Sequence, residues 1–282
     1  VAFLIEERET QLWSYLTERQ RIWDRRNRGL PWPWTLDNVL RDWQFPNVYR
    51  ELDLGTKYLR EELLPKLGVG QLLLNMVAYR HFNTILAAER LLPLDGPLPN
   101  DLKTILCGIQ PYTQAYRTSP FVHLGANTPL ENSIIASHSW AEFCPKMEPY
   151  LGGESMREVY NAIKSLPGIG PFVGYVIACD LTYTGLVDYT EDSDVYPGSG
   201  SVECLQWMTG RSWVNRTDAK FLIHLLHRNA RERLTASGFP FYEDQDLSVR
   251  AIEDGLCELH RYRAIKAGST AARRYYPQLL PL

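Results

Sequence analysis

Apolar residues recur at helical spacing through most of this chain, and convincing strand-like alternation is rare. Leu12, Trp13, Leu16 and Trp23 form one apolar stripe on a charged segment that ends near Gly29. Asp53 to Leu64 reads as a helix, and Gln71 to Leu92 as a longer one, apolar nearly all round and stopped by Pro93. A Pro/Gly-rich stretch, Pro93 to Pro99, separates it from a short helical pattern at Asp101 to Cys107. Pro111 to Pro129 has little periodicity and several turn formers, which predicts irregular chain. Glu154 to Leu166, Phe172 to Leu181, Ala219 to Leu234 and Leu247 to Ala267 are four further helices by the same criterion. Leu181 to Val187 is the best case for a strand, and no internal repeat interrupts the pattern. The fold class predicted is all-α.

Composition narrows the setting. With 282 residues, 45% of them hydrophobic, the chain can bury a substantial core, as one unit spanning residues 1–282 or as two joined lobes of it. A net charge of −3 excludes binding to nucleic acid by bulk positive charge. It leaves room for a protein that gathers its basic residues on one face. Arg211 to Leu234 holds six Lys/Arg against Asp218 and Glu232, and Arg261 to Arg274 holds five basic residues and no acid. Each run reads either as a solvated helix face or as a groove for an anionic ligand. No apolar run approaches the ~18 residues of a membrane span, and the charged opening residues do not read as a signal peptide. Five scattered cysteines without a C-x-x-C pair point to a reducing, intracellular setting, in cytoplasm or nucleus. The sequon Asn215-Arg216-Thr217 is then incidental. His224-x-x-His227 lacks a third ligand in view, so no metal site is assigned.

The most pointed local pattern is Leu166-Pro167-Gly168-Ile169-Gly170-Pro171, set between two helical segments over residues 154–181. Pro167 and Gly168 end the first helix, because glycine tolerates a positive φ. Pro171 suits the first turn of the next. Exposed backbone N–H groups of Gly168, Ile169 and Gly170 at such a turn suit a phosphate. The segment resembles the helix-hairpin-helix of DNA-repair glycosylases; a plain tight turn is the alternative. In those enzymes a catalytic aspartate follows the hairpin by about 20 residues. That distance falls here in Asp188 to Asp194, with Asp192 and Asp194 as candidates, ahead of Pro197-Gly198-Ser199-Gly200. The Schiff-base lysine and the four-cysteine iron–sulfur loop of some glycosylases have no counterpart, which disfavours a lyase-type repair enzyme.

Further segments narrow the resemblance. In order they are Pro33-Trp34-Thr35-Leu36-Asp37, Phe45-Pro46-Asn47-Val48-Tyr49-Arg50-Glu51-Leu52-Asp53, Arg80-His81-Phe82-Asn83, Gly170-Pro171-Phe172 with Tyr175 and Asp180, the Pro197 loop, and Leu256-Cys257-Glu258-Leu259-His260-Arg261-Tyr262. Over about Arg19 to Tyr276 they resemble the alpha-glutamyl/putrescinyl thymine pyrophosphorylases (amino acid:DNA transferases), for which the 5-hydroxymethyl-deoxyuridine DNA kinase helical domain is a related label. Three positions depart from the family pattern. Arg261 replaces a usual lysine, His260 an often acidic residue, and Ser199 a proline.

That resemblance implies hypermodification of thymine in DNA, in which an amine displaces a pyrophosphate from an activated 5-hydroxymethyl group. The target base must leave the stack. The leaving group needs fixed positive donors, for which Arg50, Arg80 and Arg261 are candidates, with Asn83, Ser199 and Gly200 beside them. A carboxylate must take the amine's proton, for which Glu51, Asp53, Asp192, Asp194 and Glu258 are candidates. Implied partners are DNA, an amine or amino-acid co-substrate and an upstream DNA kinase, with no membrane; Mg²⁺ would accompany the pyrophosphorylated substrate. No G-x-x-x-x-G-K-[ST] run exists, so a kinase label would name an accessory domain. A glycosylase excising a modified pyrimidine and a non-catalytic DNA-binding domain are the competing functions.

Overall fold

A computed structural model describes residues 4–112, 125 and 128–269. Most of Pro111–Pro129, and Arg273 and Arg274 of the C-terminal basic run, lie outside the described residues. Among the described residues there are twelve α-helices and no strand. They are α1 (Glu6–Asn27), α2 (Asn38–Asp42), α3 (Leu54–Lys57), α4 (Leu72–Phe82), α5 (Ile85–Leu91), α6 (Leu102–Ile105), α7 (Pro129–Met147), α8 (Met156–Lys164), α9 (Pro171–Asp180), α10 (Ser199–Thr209), α11 (Arg216–Ala236) and α12 (Val249–Lys266). The segment expected as a strand, Leu181–Val187, opens as a 3₁₀ turn over Leu181–Tyr183. Two compact units result, one formed by Val1–Asp53 with Val195–Leu282 and the other by Leu54–Asp194.

In the first unit α12 packs on α1, α2, α10 and α11. Two glycines set how closely. A Cβ on Gly255 would stand 2.8 Å from Leu16 of α1, and one on Gly200 of α10 would stand 2.8 Å from the Cys257 sulfur. Leu12, Leu16, Leu222, Ile223, Leu226, Ile252, Leu256 and Leu259 fill the core among these helices. Asn215 of the sequon caps α11 by accepting from the Asp218 N–H.

In the second unit α4 is buried nearly all round and packs on α7 and α9. Its first turn is capped from afar: the buried Glu148 carboxylate accepts from the N–H groups of Gly70 and Leu73. The long helix expected over Gln71–Leu92 breaks in two, because Asn83 takes a left-handed conformation (φ 53°) and Thr84 caps α5. The expected Asp53–Leu64 helix changes pitch, from α at Leu54–Lys57 to a π-turn at Tyr58–Leu63 and a 3₁₀ turn at Leu64–Lys66. Helix α7 escaped the sequence reading because its inner face is polar by composition, with Asn132, Ser133 and Ser137 buried beside Ala136 and Trp140. Its start carries a capping box of Thr128 and Glu131.

Candidate functional site

The polar chemistry of the first unit gathers along one face of α12. Arg250, Glu253, Asp254, Cys257, Glu258 and Arg261 recur at intervals of three and four, so they form a single row along the helix. Arg250 pairs with Glu253 and, at 2.7 Å, with Asp254; Glu258 pairs with Arg261 at 2.7 Å. Arg50 adds positive charge near Asp254, and Arg19 does so near Glu258. Burial dominates the electrostatics. It raises Asp254 to about 7, against which Arg250 and Arg50 pull downward and Glu253 and Glu258 push upward. Burial likewise raises Glu258, with Arg261 opposing, and holds the Cys257 thiol well above its usual range. A carboxyl titrating near 7 among guanidinium groups can accept or return a proton at neutral pH.

The N-terminus of α10 meets the same row. Glu253 accepts from the Gly198 N–H (2.9 Å) and the Ser201 hydroxyl (2.7 Å). Ser199 and Gly200 are therefore the first turn of a helix rather than an open loop, and a carboxylate of the chain itself caps the position expected for a phosphate. Gly200 is required for the close approach to Cys257.

The spaced sequence segments explain how this row is held. Thr35 accepts from the Asp37 N–H, and Asp37 caps α2 and accepts from the Tyr262 hydroxyl at 2.6 Å. Phe45 lies under the Arg261 guanidinium, 4.4 Å from ring centroid to Cζ. Arg19 donates to the Phe45 carbonyl and to Asn47, whose own N–H is held by Asp53 at 2.9 Å. Asp53 thus braces the 45–53 turn while adding negative charge near Glu258. Glu51 lies half-buried in the 3₁₀ turn Arg50–Leu52. His260 falls off the row and meets Glu203 at 3.1 Å. Of the expected residues, Arg50, Asp53, Glu258 and Arg261 come together here. Arg250, Glu253 and Asp254 were missed, although their three- and four-residue spacing before Glu258 was the available signal.

The second unit holds a separate network. Arg80 donates to both oxygens of Asp180, at 2.5 and 3.0 Å, and to Asn83 at 2.8 Å, with Thr56 at 3.4 Å. Arg80 and Asn83 do share a face, as their spacing requires, and Asp180 is the partner that sequence reading left without a role. At the hairpin Gly168 takes the expected positive φ, 75°. Beneath it, Trp140 donates to the Pro167 carbonyl, and His81 touches the Gly168 backbone while pairing with Ser133, which also meets Tyr112. The Ile169 N–H donates to the Leu166 carbonyl within the turn, and the Ile169 side chain is buried. Gly170 is extended (φ −88°), so its backbone does not itself demand glycine. Asp192 is exposed and Asp194 half-buried in the turn that closes this unit.

Among the described residues no group of three His, Cys, Asp or Glu side chains is arranged to hold a metal ion, and no helix is long and apolar enough to cross a membrane.

An all-helical protein with a row of paired carboxylates and guanidiniums, and a glycine turn between two helices, is a class that comparison with known proteins narrows. The model of the 5-hmdU DNA kinase helical domain family matches residues 6–271, and the chain belongs to that family. It is 28% identical, over 88% of its length, to a protein of Bacillus phage SP10 named 5-hmdU DNA kinase, and spans 43% of that protein. No solved structure matches the chain.

Proposed function

We propose that this chain acts on a 5-substituted uracil extruded from DNA, in the hypermodification of thymine-derived bases, replacing a pyrophosphate at the 5-methylene carbon with an amine. The observation that carries this reading is the α12 row, which sets carboxylates of raised pKa beside fixed guanidiniums. The displacement needs both. The amine gives a proton to Asp254 as its nitrogen bonds to the methylene carbon, and the carbon–oxygen bond breaks with its electron pair on the pyrophosphate. Arg50 and Arg261 neutralise the departing charge. Mg²⁺ would enter with the pyrophosphate oxygens of the substrate. The hairpin at Gly168–Gly170, similar to that of DNA glycosylases, would grip the DNA backbone. Asp192 and Asp194 remain further carboxylate candidates, and an upstream DNA kinase would supply the activated base.

A second reading is favoured by length. The phage relative is more than twice as long as the matched part and is named a kinase, while this sequence has no P-loop run. The chain would then hold 5-hydroxymethyluracil in DNA for phosphate transfer catalysed elsewhere.

The test is incubation with DNA carrying hydroxymethyl- or pyrophosphoryloxymethyl-uracil and candidate amines, followed by mass analysis of the digested nucleosides. A heavier nucleoside in intact DNA, lost in Asp254→Asn, supports the transferase. Release of a free base would mean a glycosylase. Selective binding of modified DNA without turnover would mean the presenting domain. Loss of product in Asp192→Asn or Asp194→Asn, with Asp254→Asn still active, would move the proton acceptor to that turn.

A further inference from the structure

Tyr15 of α1 stands at the Arg261 end of the α12 row, and its hydroxyl makes no hydrogen bond among the described residues. The residue is only 6% exposed. Its ring centroid lies 6.0 Å from that of Phe45 and 5.5 Å from that of Tyr262, and those two lie 6.4 Å apart. The three rings form one cluster, with the Arg261 guanidinium seated on Phe45. Asp37 takes the Tyr262 hydroxyl at 2.6 Å, which leaves Tyr15 as the phenol of this cluster with a donor to give. Tyr15 and Arg19 are four residues apart and share a face of α1. That face meets the row, since Glu258 acts on Tyr15 and Arg19 acts on Glu258. Burial holds the phenol well above its usual range, Glu258 adds to this, and Arg19 and Arg261 oppose it. The group is therefore a neutral donor at neutral pH. Glu258 and Arg261 keep 19% and 36% of their side chains in water, so this end of the row is open. A hydroxyl set among rings costs free energy while it is unpaired, and phenylalanine would pack there without that cost.

We propose that the Tyr15 hydroxyl selects the base, by donating to the oxygen carried on the 5-methylene carbon of the extruded uracil. The inference rests on the proposed function and deepens it, because that oxygen is what separates the modified base from thymine. A bare methyl group leaves the hydroxyl unpaired, whereas a hydroxymethyl or pyrophosphoryloxymethyl group satisfies it. A site built around a hydrogen-bond donor rejects the analogue without an acceptor far more strongly than an apolar pocket that measures size alone. Arg261, on the neighbouring ring, supplies the positive charge that a phosphorylated substituent needs in addition.

The experiment compares the full chain with Tyr15→Phe and Tyr262→Phe. It measures affinity, and product formation where it occurs, on oligonucleotides that differ only in carrying thymine, 5-hydroxymethyluracil or pyrophosphoryloxymethyluracil. Urea unfolding follows the stability of each protein. Tyr15→Phe should be at least as stable as the wild type. It should lose about tenfold on both oxygenated bases while keeping its affinity for thymine. Tyr262→Phe, which breaks the bond to Asp37, should lose stability and keep the preference. An unchanged preference in Tyr15→Phe, with the wild type favouring the oxygenated bases, would overturn this inference and leave the proposed function standing. A loss of stability in Tyr15→Phe would show that the hydroxyl is bonded within the protein, and would overturn it too. So would an equal loss of preference in both variants, which would place the effect in the ring cluster. A wild type that neither prefers nor converts the oxygenated bases would overturn this inference and the proposed function together.

Discussion

Arg80 and Asp180, a hundred residues apart in the chain, face each other through two parallel hydrogen bonds, their side chains 4% and 0% exposed. The pair joins α4 to the last residue of α9, and Asn83 extends it to the break before α5. A bidentate guanidinium–carboxylate pair has high geometric specificity. Burying it withdraws two charges from water, so each depends on the other.

Removing one partner should therefore be costly. Asp180→Asn or Arg80→Met should each destabilise the protein by about 3–5 kcal/mol, since the remaining charge stays buried without its counter-ion. The double variant should lose less than the sum of the two. Urea unfolding of all four proteins checks this, and additive losses would show that the two groups are not coupled.

Gly200 should resist enlargement. Gly200→Ala places a methyl 2.8 Å from the Cys257 sulfur, an overpacking expected to cost about 1–3 kcal/mol. Cys257→Ala in the same chain should restore part of that loss. An equal loss in both backgrounds would locate the strain elsewhere.

Asp254 should make stability fall with rising pH. Burial raises its carboxyl to about 7 in the folded state, while the unfolded chain titrates near the ordinary ~3.9. Between these values the folded protein holds the extra proton, so folding weakens as pH climbs from about 4 to 7. Asp254→Asn should remove this slope, so the variant gains on the wild type as pH rises from about 4.5 to about 7.5 in paired denaturant titrations. Parallel curves would be incompatible with a raised carboxyl.

His81 should do the opposite. Burial lowers it to about 4, with the Gly168 backbone contact opposing, whereas the unfolded side chain titrates near ~6.5. The unfolded chain binds the proton first, so this contribution is complete above about 6.5 and disappears as pH falls through about 4. His81→Gln should flatten the acid limb of the stability profile.

The legible parts of the molecule are those decided within a few residues. Periodicity announced α1, α8, α9, α11 and α12 because each needs one apolar stripe to face a core. The positive φ at Gly168 followed from Leu-Pro-Gly between two helices. Arg80 and Asn83 shared a face because residues three apart on a helix must.

Other features depended on the approach of distant segments. Sequence spacing along α12 allowed a row from Arg250 to Arg261, but only packing beside α1, the 45–53 turn and the start of α10 withdrew part of it from water and raised Asp254 and Glu258. Asn132, Ser133 and Ser137 hid α7, because their burial depends on partners elsewhere in the chain, such as His81 and the Leu98 N–H. The order of short segments was written in the sequence, and so was the helical class. Which carboxylate lost its water, and which glycine had to be small, was decided by tertiary contact, because desolvation and close approach are properties of neighbours rather than of residue type.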